Sequence, residues 1–291
     1  SDLGLHNSDT GTWEICLSDA GVFRNAVDWL TSFGTSKDWW PIGGDFNGDA
    51  KTDVGIYNNT NGELKVALSS GSGFSASGTW LSFPAASYSW QPLTGNFNAD
   101  KYTDFALYSK DTGEVKVALG SGSGFAAFTT WLTGFGTDYI ALAGDFNADS
   151  LTDLCLFKKS SGEFKVAFSN SKAFVDGSSW LSGFATDKDA LISDFNHDGL
   201  ADIGWWDKTG GRWYYAISTG SSFVDKGLWL DSFGASSDES ATTGDFDGNG
   251  LTDAATFDRD QLGINRWTTQ LSTDKPADLL TEIDNGIGGK T

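Results

Sequence analysis

Ten residues recur five times along this 291-residue chain. They read Gly44-Asp-Phe-Asn-Gly-Asp-Ala-Lys-Thr-Asp53, Gly95-Asn-Phe-Asn-Ala-Asp-Lys-Tyr-Thr-Asp104, Gly144-Asp-Phe-Asn-Ala-Asp-Ser-Leu-Thr-Asp153, Ser193-Asp-Phe-Asn-His-Asp-Gly-Leu-Ala-Asp202 and Gly244-Asp-Phe-Asp-Gly-Asn-Gly-Leu-Thr-Asp253. Their closing aspartates lie 51, 49, 49 and 51 residues apart. A fixed period of this size confines a chain to architectures that stack copies of one small unit, because such a unit cannot bury its apolar face alone.

Each copy carries the signals of four strands. One enters the acidic loop, as over Ile140 to Phe146, and a short apolar run leaves it: Val54 to Tyr57, Phe105 to Tyr108, Leu154 to Phe157, Ile203 to Trp206, Ala254 to Phe257. After a Gly or Asn turn comes an alternating segment such as Glu63-Leu-Lys-Val-Ala-Leu-Ser69, whose period of two marks a strand with one buried face. A Ser/Gly turn then leads to a Trp-Leu strand at Trp29, Trp80, Trp131, Trp180 and Trp229. No segment sustains a helical period. The fold class predicted is all-β: a β-propeller of four-stranded antiparallel blades, most simply six, with five or seven as the other closures.

The ends differ from the middle. Asp2-Leu-Gly-Leu-His-Asn7 aligns with Asp53-Val-Gly-Ile-Tyr-Asn58, so the first copy lacks its acidic loop. The sixth stops after Trp267-Thr-Thr-Gln-Leu-Ser272 without a Trp-Leu strand. The propeller is therefore expected over residues 1–272, with 273–291 as a tail or closing segment. A start at Ser1 and the absence of Met suggest a mature or excised fragment.

Oxygen-bearing side chains stand at positions 1, 3, 5 and 9 of each loop, and a tight turn can add the carbonyl of position 7. The candidate ligand sets are Asp45, Asn47, Asp49, Lys51 and Asp53; Asn96, Asn98, Asp100, Tyr102 and Asp104; Asp145, Asn147, Asp149, Leu151 and Asp153; Asp194, Asn196, Asp198, Leu200 and Asp202; and Asp245, Asp247, Asn249, Leu251 and Asp253. Alternate oxygens aimed at one centre suit a hard cation that accepts six to eight of them, which predicts up to five Ca²⁺ ions. Zinc would call for His or Cys, and Mg²⁺ for stricter octahedral geometry. Turn formation alone is the simpler reading of Asp/Asn/Gly clusters, but it does not ask for a carboxylate at position 9 in every copy. The loops are unequal. Asn96 replaces the first aspartate of the second, which is expected to be the weakest; position 6 is Gly only at Gly199 and Gly250.

The charge agrees with a cation partner. The loops hold 14 of 39 acidic residues against 19 basic ones, and the formal charge is -20, which argues against nucleic acid and anionic membranes. No apolar run is long enough to span a bilayer. Cys16 and Cys155 occupy slots filled in other copies by Ala or Gly, in separate copies of the repeat, and read as two buried free thiols.

These loops closely resemble FG-GAP/VCBS repeats, the integrin-α type of propeller, over residues 2 to about 272. The resemblance implies a loop that joins the first two strands of a blade and binds calcium. A shorter stretch, Lys275-Pro-Ala-Asp-Leu-Leu-Thr-Glu-Ile-Asp-Asn-Gly-Ile-Gly-Gly-Lys290, resembles the segment that follows such repeats in Rhs-like and insecticidal Tc-toxin B-type (SpvB-like) proteins. That implies a module of a larger secreted or surface bacterial protein, where such domains are docking platforms.

An enzyme needs a nucleophile and base, an acid–base pair or an open metal. The two imidazoles, His6 and His197, fall in repeat-equivalent slots, and the clustered carboxylates belong to the loops. The expectation is a non-catalytic binding module for a protein partner, with neighbouring domains of a longer chain as further partners. Carbohydrate binding is the alternative, carried by Trp39, Trp40, Trp90 and Tyr139 just before the first strand, where aromatic faces at a central rim would stack on sugar rings. Hydrolysis or elimination by a calcium-bound water is the third reading.

Overall fold

The alternation read from the sequence becomes sheet in the computed structural model, which describes residues 2–83, 90–236, 239–259 and 265–272. The tail 273–291, with the segment likened above to Rhs-like and Tc-toxin proteins, lies outside the described residues. Six antiparallel sheets make a six-bladed β-propeller. Blade 2 comprises Trp39–Gly44, Asp53–Asn58, Glu63–Ser69 and Phe74–Ser82, and blade 3 Trp90–Gly95, Asp104–Ser109, Val115–Ala118 and Thr129–Leu132. Blade 4 comprises Ile140–Gly144, Asp153–Lys158, Glu163–Ser169 and Phe174–Leu181, and blade 5 Ala190–Ser193, Asp202–Asp207, Arg212–Ser218 and Phe223–Leu230. In each, sequence order equals spatial order, from the inner strand at the axis to the outer strand at the rim.

Blades 1 and 6 have three strands each among the described residues. Blade 1 consists of Leu3–Asn7, Thr12–Cys16 and Val27–Leu30, which match the second, third and outer strands of the others. Blade 6 consists of Glu239–Gly244, Asp253–Arg259 and Asn265–Gln270, the inner three. A small hairpin of Ser18–Asp19 and Val22–Phe23 leaves blade 1 and packs on blade 6, with Phe23 edge-on to Phe246 at 5.2 Å. The Gly21 amide donates to the Phe246 carbonyl at 3.1 Å and the Thr269 hydroxyl to the Gly21 carbonyl at 2.9 Å, which closes the ring.

Burial follows position in the blade. Second strands are covered by neighbouring blades on both faces, so Asp53–Asn58 and Asp104–Ser109 are buried throughout. Third strands alternate: Leu64 and Val66 are buried while Lys65 lies partly in solvent. The inner strands line a central channel of about 450 Å³ with Pro41, Pro92, Leu142, Leu191 and Thr242. The turn from second to third strand demands glycine, since Gly113 sits at φ 68° and a Cβ there would meet the Gly136 carbonyl at 2.6 Å. Cys16 and Cys155 are buried free thiols, as their small-residue slots require.

One polar contact recurs in blades 2 to 6. The closing aspartate of each loop is wholly buried at the start of the second strand and binds two backbone amides. Asp153 accepts from Phe146 at 3.1 Å and from Ser169 at 2.8 Å, tying the loop to the end of the third strand. Asp53, Asp104, Asp202 and Asp253 do the same with Phe46 and Ser69, Phe97 and Gly120, Phe195 and Ser218, and Phe246 and Ser272. Removing the acceptor strands two buried donors. Asp153→Ala should cost at least about 2 kcal/mol in urea unfolding with chelator present, against about 1 kcal/mol or less for exposed Asp149→Ala.

Candidate metal centres

The acidic loops curl because two of their residues take the left-handed conformation. These are positions 4 and 6: Gly48 and Ala50, Ala148 and Ser150, His197 and Gly199, Gly248 and Gly250. Position 6 thus accepts Ala50 at φ 65° and Ser150 at φ 67°, where the sequence favours glycine; the loop's hydrogen bonds offset the strain. The first aspartate caps the curl. Asp45 takes the amides of Gly48 at 2.7 Å, Asp49 at 3.1 Å and Ala50 at 2.7 Å, and Asp245 those of Gly248, Asn249 and Gly250. Asp145 and Asp194 cap Ser150 and Gly199 in the same way.

Position 3 accepts the amide of position 5, and position 5 that of position 7. The second contact runs from Lys51 to Asp49 at 3.0 Å, Tyr102 to Asp100 at 2.7 Å, Leu151 to Asp149 at 2.8 Å, Leu200 to Asp198 at 2.9 Å and Leu251 to Asn249 at 2.6 Å. Asn47, Asn98, Asn147 and Asn196 bind position 5 through Oδ1, and the last three also turn Nδ2 onto its carboxylate. In blades 3, 4 and 5 an amide thus faces the position 5 carboxylate, and in blade 6 the Asn249 amide faces the position 3 carboxylate of Asp247 at 3.0 Å. In that loop carboxylate oxygens of Asp245, Asp247 and Asp253 lie within 4.8 Å of one another. Among the described residues no other three acidic, His or Cys side chains converge so closely. This donor set of hard oxygens fits a Ca²⁺-sized cation.

The loops of blades 2 and 3 fit less well. The Lys51 ammonium sits on Asp49 at 2.8 Å and, by that bond, holds its carboxyl below the usual range. Asn96 turns its amide nitrogen to the Asp100 carbonyl at 2.6 Å, and its Oδ1 is buried without a hydrogen-bond partner among the described residues. Lys101 also stays out of the left-handed region, so this loop lacks the second curl.

Other site expectations scatter. Trp39 is half-buried beneath the Lys65 ammonium, 4.8 Å from its ring centre, and Trp40 is exposed. Trp90 and Tyr139 are buried, with the Tyr139 hydroxyl donating to Glu163 at 2.7 Å. All but Tyr139 lie within inner strands rather than before them, and they are spread over three blades. Of the four, Trp40 is the most exposed. His6 meets the Phe33 carbonyl at 3.1 Å, and His197 accepts the Thr252 amide at 3.0 Å across the seam of blades 5 and 6.

Two residue classes escaped the sequence reading, Ser at the end of the third strand and Thr at position 8. Both reach the preceding blade, as when the Ser218 hydroxyl donates to the Phe146 carbonyl at 2.9 Å and the Thr152 amide to the Asn96 carbonyl at 2.8 Å. Their signal was visible as Ser69, Ser169 and Ser218 in one slot and Thr before the closing Asp in four loops. A cavity of about 160 Å³ also opens at the seam of blades 5 and 6, lined by Asp189, Leu191, Trp206, Lys208, Ser240 and Ala241.

No family model matches this chain, and no curated protein matches it. Solved structures share the fold. One is an Agrocybe aegerita lectin described as specifically recognising non-reducing terminal N-acetylglucosamine. It is similar with a TM-score of 0.62 and 16% identity over 92% of this chain and 79% of that one. Another is the Photorhabdus luminescens Tc holotoxin pore, with a TM-score of 0.58 and 14% identity; the match covers 94% of this chain and 13% of that one. At such identities the likeness concerns the fold.

The buried closing aspartates give the loops a pH dependence. Burial outweighs the two amide bonds and the neighbouring loop carboxylates add to it, pushing Asp104 up to about 6 and Asp153 and Asp202 up to about 7, from 3.8. A carboxyl raised in the folded state contributes stability below its unfolded pKa, and that contribution is lost as pH climbs through the folded value. With chelator present, the melting temperature should fall between pH 5 and 8, and Asp153→Asn should flatten that fall relative to the parent.

Proposed function

We propose that this chain is a non-catalytic binding module, a calcium-stabilised propeller that docks a protein partner as one domain of a larger secreted or surface bacterial protein. The convergence of Asp245, Asp247 and Asp253 carries the reading. Asp253 is at once a candidate ligand and the buried bracket that ties its loop to the third strand, so a cation held there acts on the frame of the blade rather than in a substrate cleft. Such an ion relieves the repulsion between carboxylates and leaves the ring as a rigid platform. The embedding of a similar propeller in a much longer toxin chain supports a role as a docking domain, and so does the tail's resemblance to Rhs-like and Tc-toxin proteins.

A cation at about ten times its dissociation constant adds about 1.4 kcal/mol per site. Calcium should therefore raise the melting temperature over chelator by several degrees, and Asp247→Asn should remove the tightest binding step seen by calorimetry. An unchanged melting temperature on chelation would refute the calcium reading.

The seam cavity of blades 5 and 6 favours glycan binding as the second reading. The indole of Trp206 borders it together with the charged side chains Asp189 and Lys208, a combination that suits a sugar's apolar face and its hydroxyls. A glycan array that includes terminal N-acetylglucosamine should give binding that Asp189→Ala and Lys208→Ala each weaken about tenfold, the loss of a charge-assisted hydrogen bond. Silence across the array would remove this reading.

A further inference from the structure

One lysine slot recurs in the turn from second to third strand, six residues past the closing aspartate: Lys110, Lys159 and Lys208 in blades 3, 4 and 5. In blade 4 that lysine is spent on the next blade. The Lys159 ammonium donates to Asp189 at 2.7 Å, and Asp189 stands immediately before the inner strand Ala190–Ser193 of blade 5. Asp189 precedes Ser193 by four residues, and the residue that precedes Gly244 by four is Ser240, so blade 6 has a hydroxyl where blade 5 has a carboxylate. Lys208 and Ser240 both border the cavity of about 160 Å³ between blades 5 and 6. Among the described residues the Lys208 ammonium has no acid partner and rests over the Trp206 ring, 5.9 Å from its centre.

A second donor in this cavity is also unspent. Trp206 stands where blades 2 to 4 have Tyr57, Tyr108 and Phe157. The Tyr108 hydroxyl is used up on the Gly136 carbonyl at 2.8 Å, and Phe157 has no polar atom. Trp206 is 5% exposed, and its Nε1 has no hydrogen-bond partner among the described residues, since the adjacent indole of Trp213 takes the Phe233 carbonyl at 3.0 Å. A buried N–H without an acceptor carries a desolvation cost that an incoming acceptor recovers. Asp189, the acid in the lining, is balanced by Lys159 through Oδ1, so the charge left without a partner in this lining is positive. The acidic loops sit at the other end of the strands, which keeps their 14 acids away from an anion bound here.

We propose that this cavity selects a terminal sugar that carries a carboxylate, a uronic or a sialic acid; the proposal rests on the glycan reading given above and names its ligand. The ligand carboxylate takes the place that Asp189 fills one seam earlier. One of its oxygens accepts from Lys208 Nζ and the other from Trp206 Nε1, both charge-assisted bonds. The Ser240 hydroxyl and Asp189 Oδ2 serve the ring hydroxyls, and Leu191 and Ala241 cover an apolar face of the ring. The volume is well below the roughly 300 Å³ at which drug-sized pockets begin, which limits the occupant to one sugar at the end of a chain.

The test titrates the full chain, with calcium present, by calorimetry against methyl glucuronide, the methyl glycoside of N-acetylneuraminic acid, methyl glucoside and methyl N-acetylglucosaminide. At least one of the two acids should bind saturably and about tenfold more tightly than either neutral sugar, the worth of a charge-assisted contact, and which acid does so identifies the source of the carboxylate. Trp206→Phe keeps a ring in the slot, as Phe157 does in blade 4, and removes the N–H; it should weaken acid binding about fivefold. Ser240→Asp rebuilds the pair made by Lys159 and Asp189 and should abolish acid binding with the melting temperature at or above that of the parent. Neutral sugars that bind as well as the acids would overturn the proposal and leave the glycan reading standing, whereas no binding of any of the four would remove both. Acid binding that survives Ser240→Asp unchanged would also overturn the proposal, because the carboxylate would then lie elsewhere.

Discussion

A carboxylate buried at the root of five of the six blades is the contact on which the propeller depends. Asp53, Asp104, Asp153, Asp202 and Asp253 are fully enclosed, and each spans a loop amide and a third-strand amide that would otherwise lie unpaired in the interior. The bracket sets the register between second and third strands and places the loop Phe one residue after the loop's first Asp or Asn. Its drawback is electrostatic. Burial raises the carboxyls toward neutral pH, and the other loop acids raise them further, so the most rigid point of the blade is also the one a cation most relieves.

Ring closure then follows from chemistry repeated at successive seams. A loop Phe, a Ser hydroxyl and a position 8 amide join blade 3 to blade 4 and blade 4 to blade 5, and other seams keep part of the set or replace it, as where the Thr252 hydroxyl reaches the Asp194 carbonyl at 2.6 Å. Gly120 offers no hydroxyl at the seam of blades 2 and 3, but Thr103 still reaches the Asp45 carbonyl and Phe125 still packs on Phe46 at 5.9 Å. At the seam of blades 6 and 1 the Ser18 hydroxyl reaches the Phe246 carbonyl, the same bond that joins blades 3 and 4. Among the described residues the seam of blades 1 and 2 shows the receiving groups Trp29, Phe74 and Ser69.

The five loops share a sequence pattern but not a geometry. Blade 6 carries Asp247 at position 3 and Asn249 at position 5, the reverse of the other loops, and with that swap Asp245, Asp247 and Asp253 converge. Blade 3 departs furthest, because Asn96 cannot cap the curl as an aspartate does and Lys101 does not adopt the left-handed turn. The loops are thus graded in geometry, with three carboxylates converging in blade 6 alone among the described residues.

The repeat made the class of fold, the number of blades, the four-strand order and the small-residue slots of Cys16 and Cys155 legible, because each depends on residues within one copy. Period-two alternation and turn glycines act locally, and a 50-residue spacing read along the chain is enough to recognise them. The exposure of aromatics and the destination of loop oxygens were not legible. Trp90 and Tyr139 resemble rim residues in sequence, yet neighbouring strands cover them, and Ser169 and Ser218 find their acceptors 72 residues away in the preceding blade. Those outcomes are settled where two blades meet, since burial and hydrogen-bond partners there come from a different copy of the repeat.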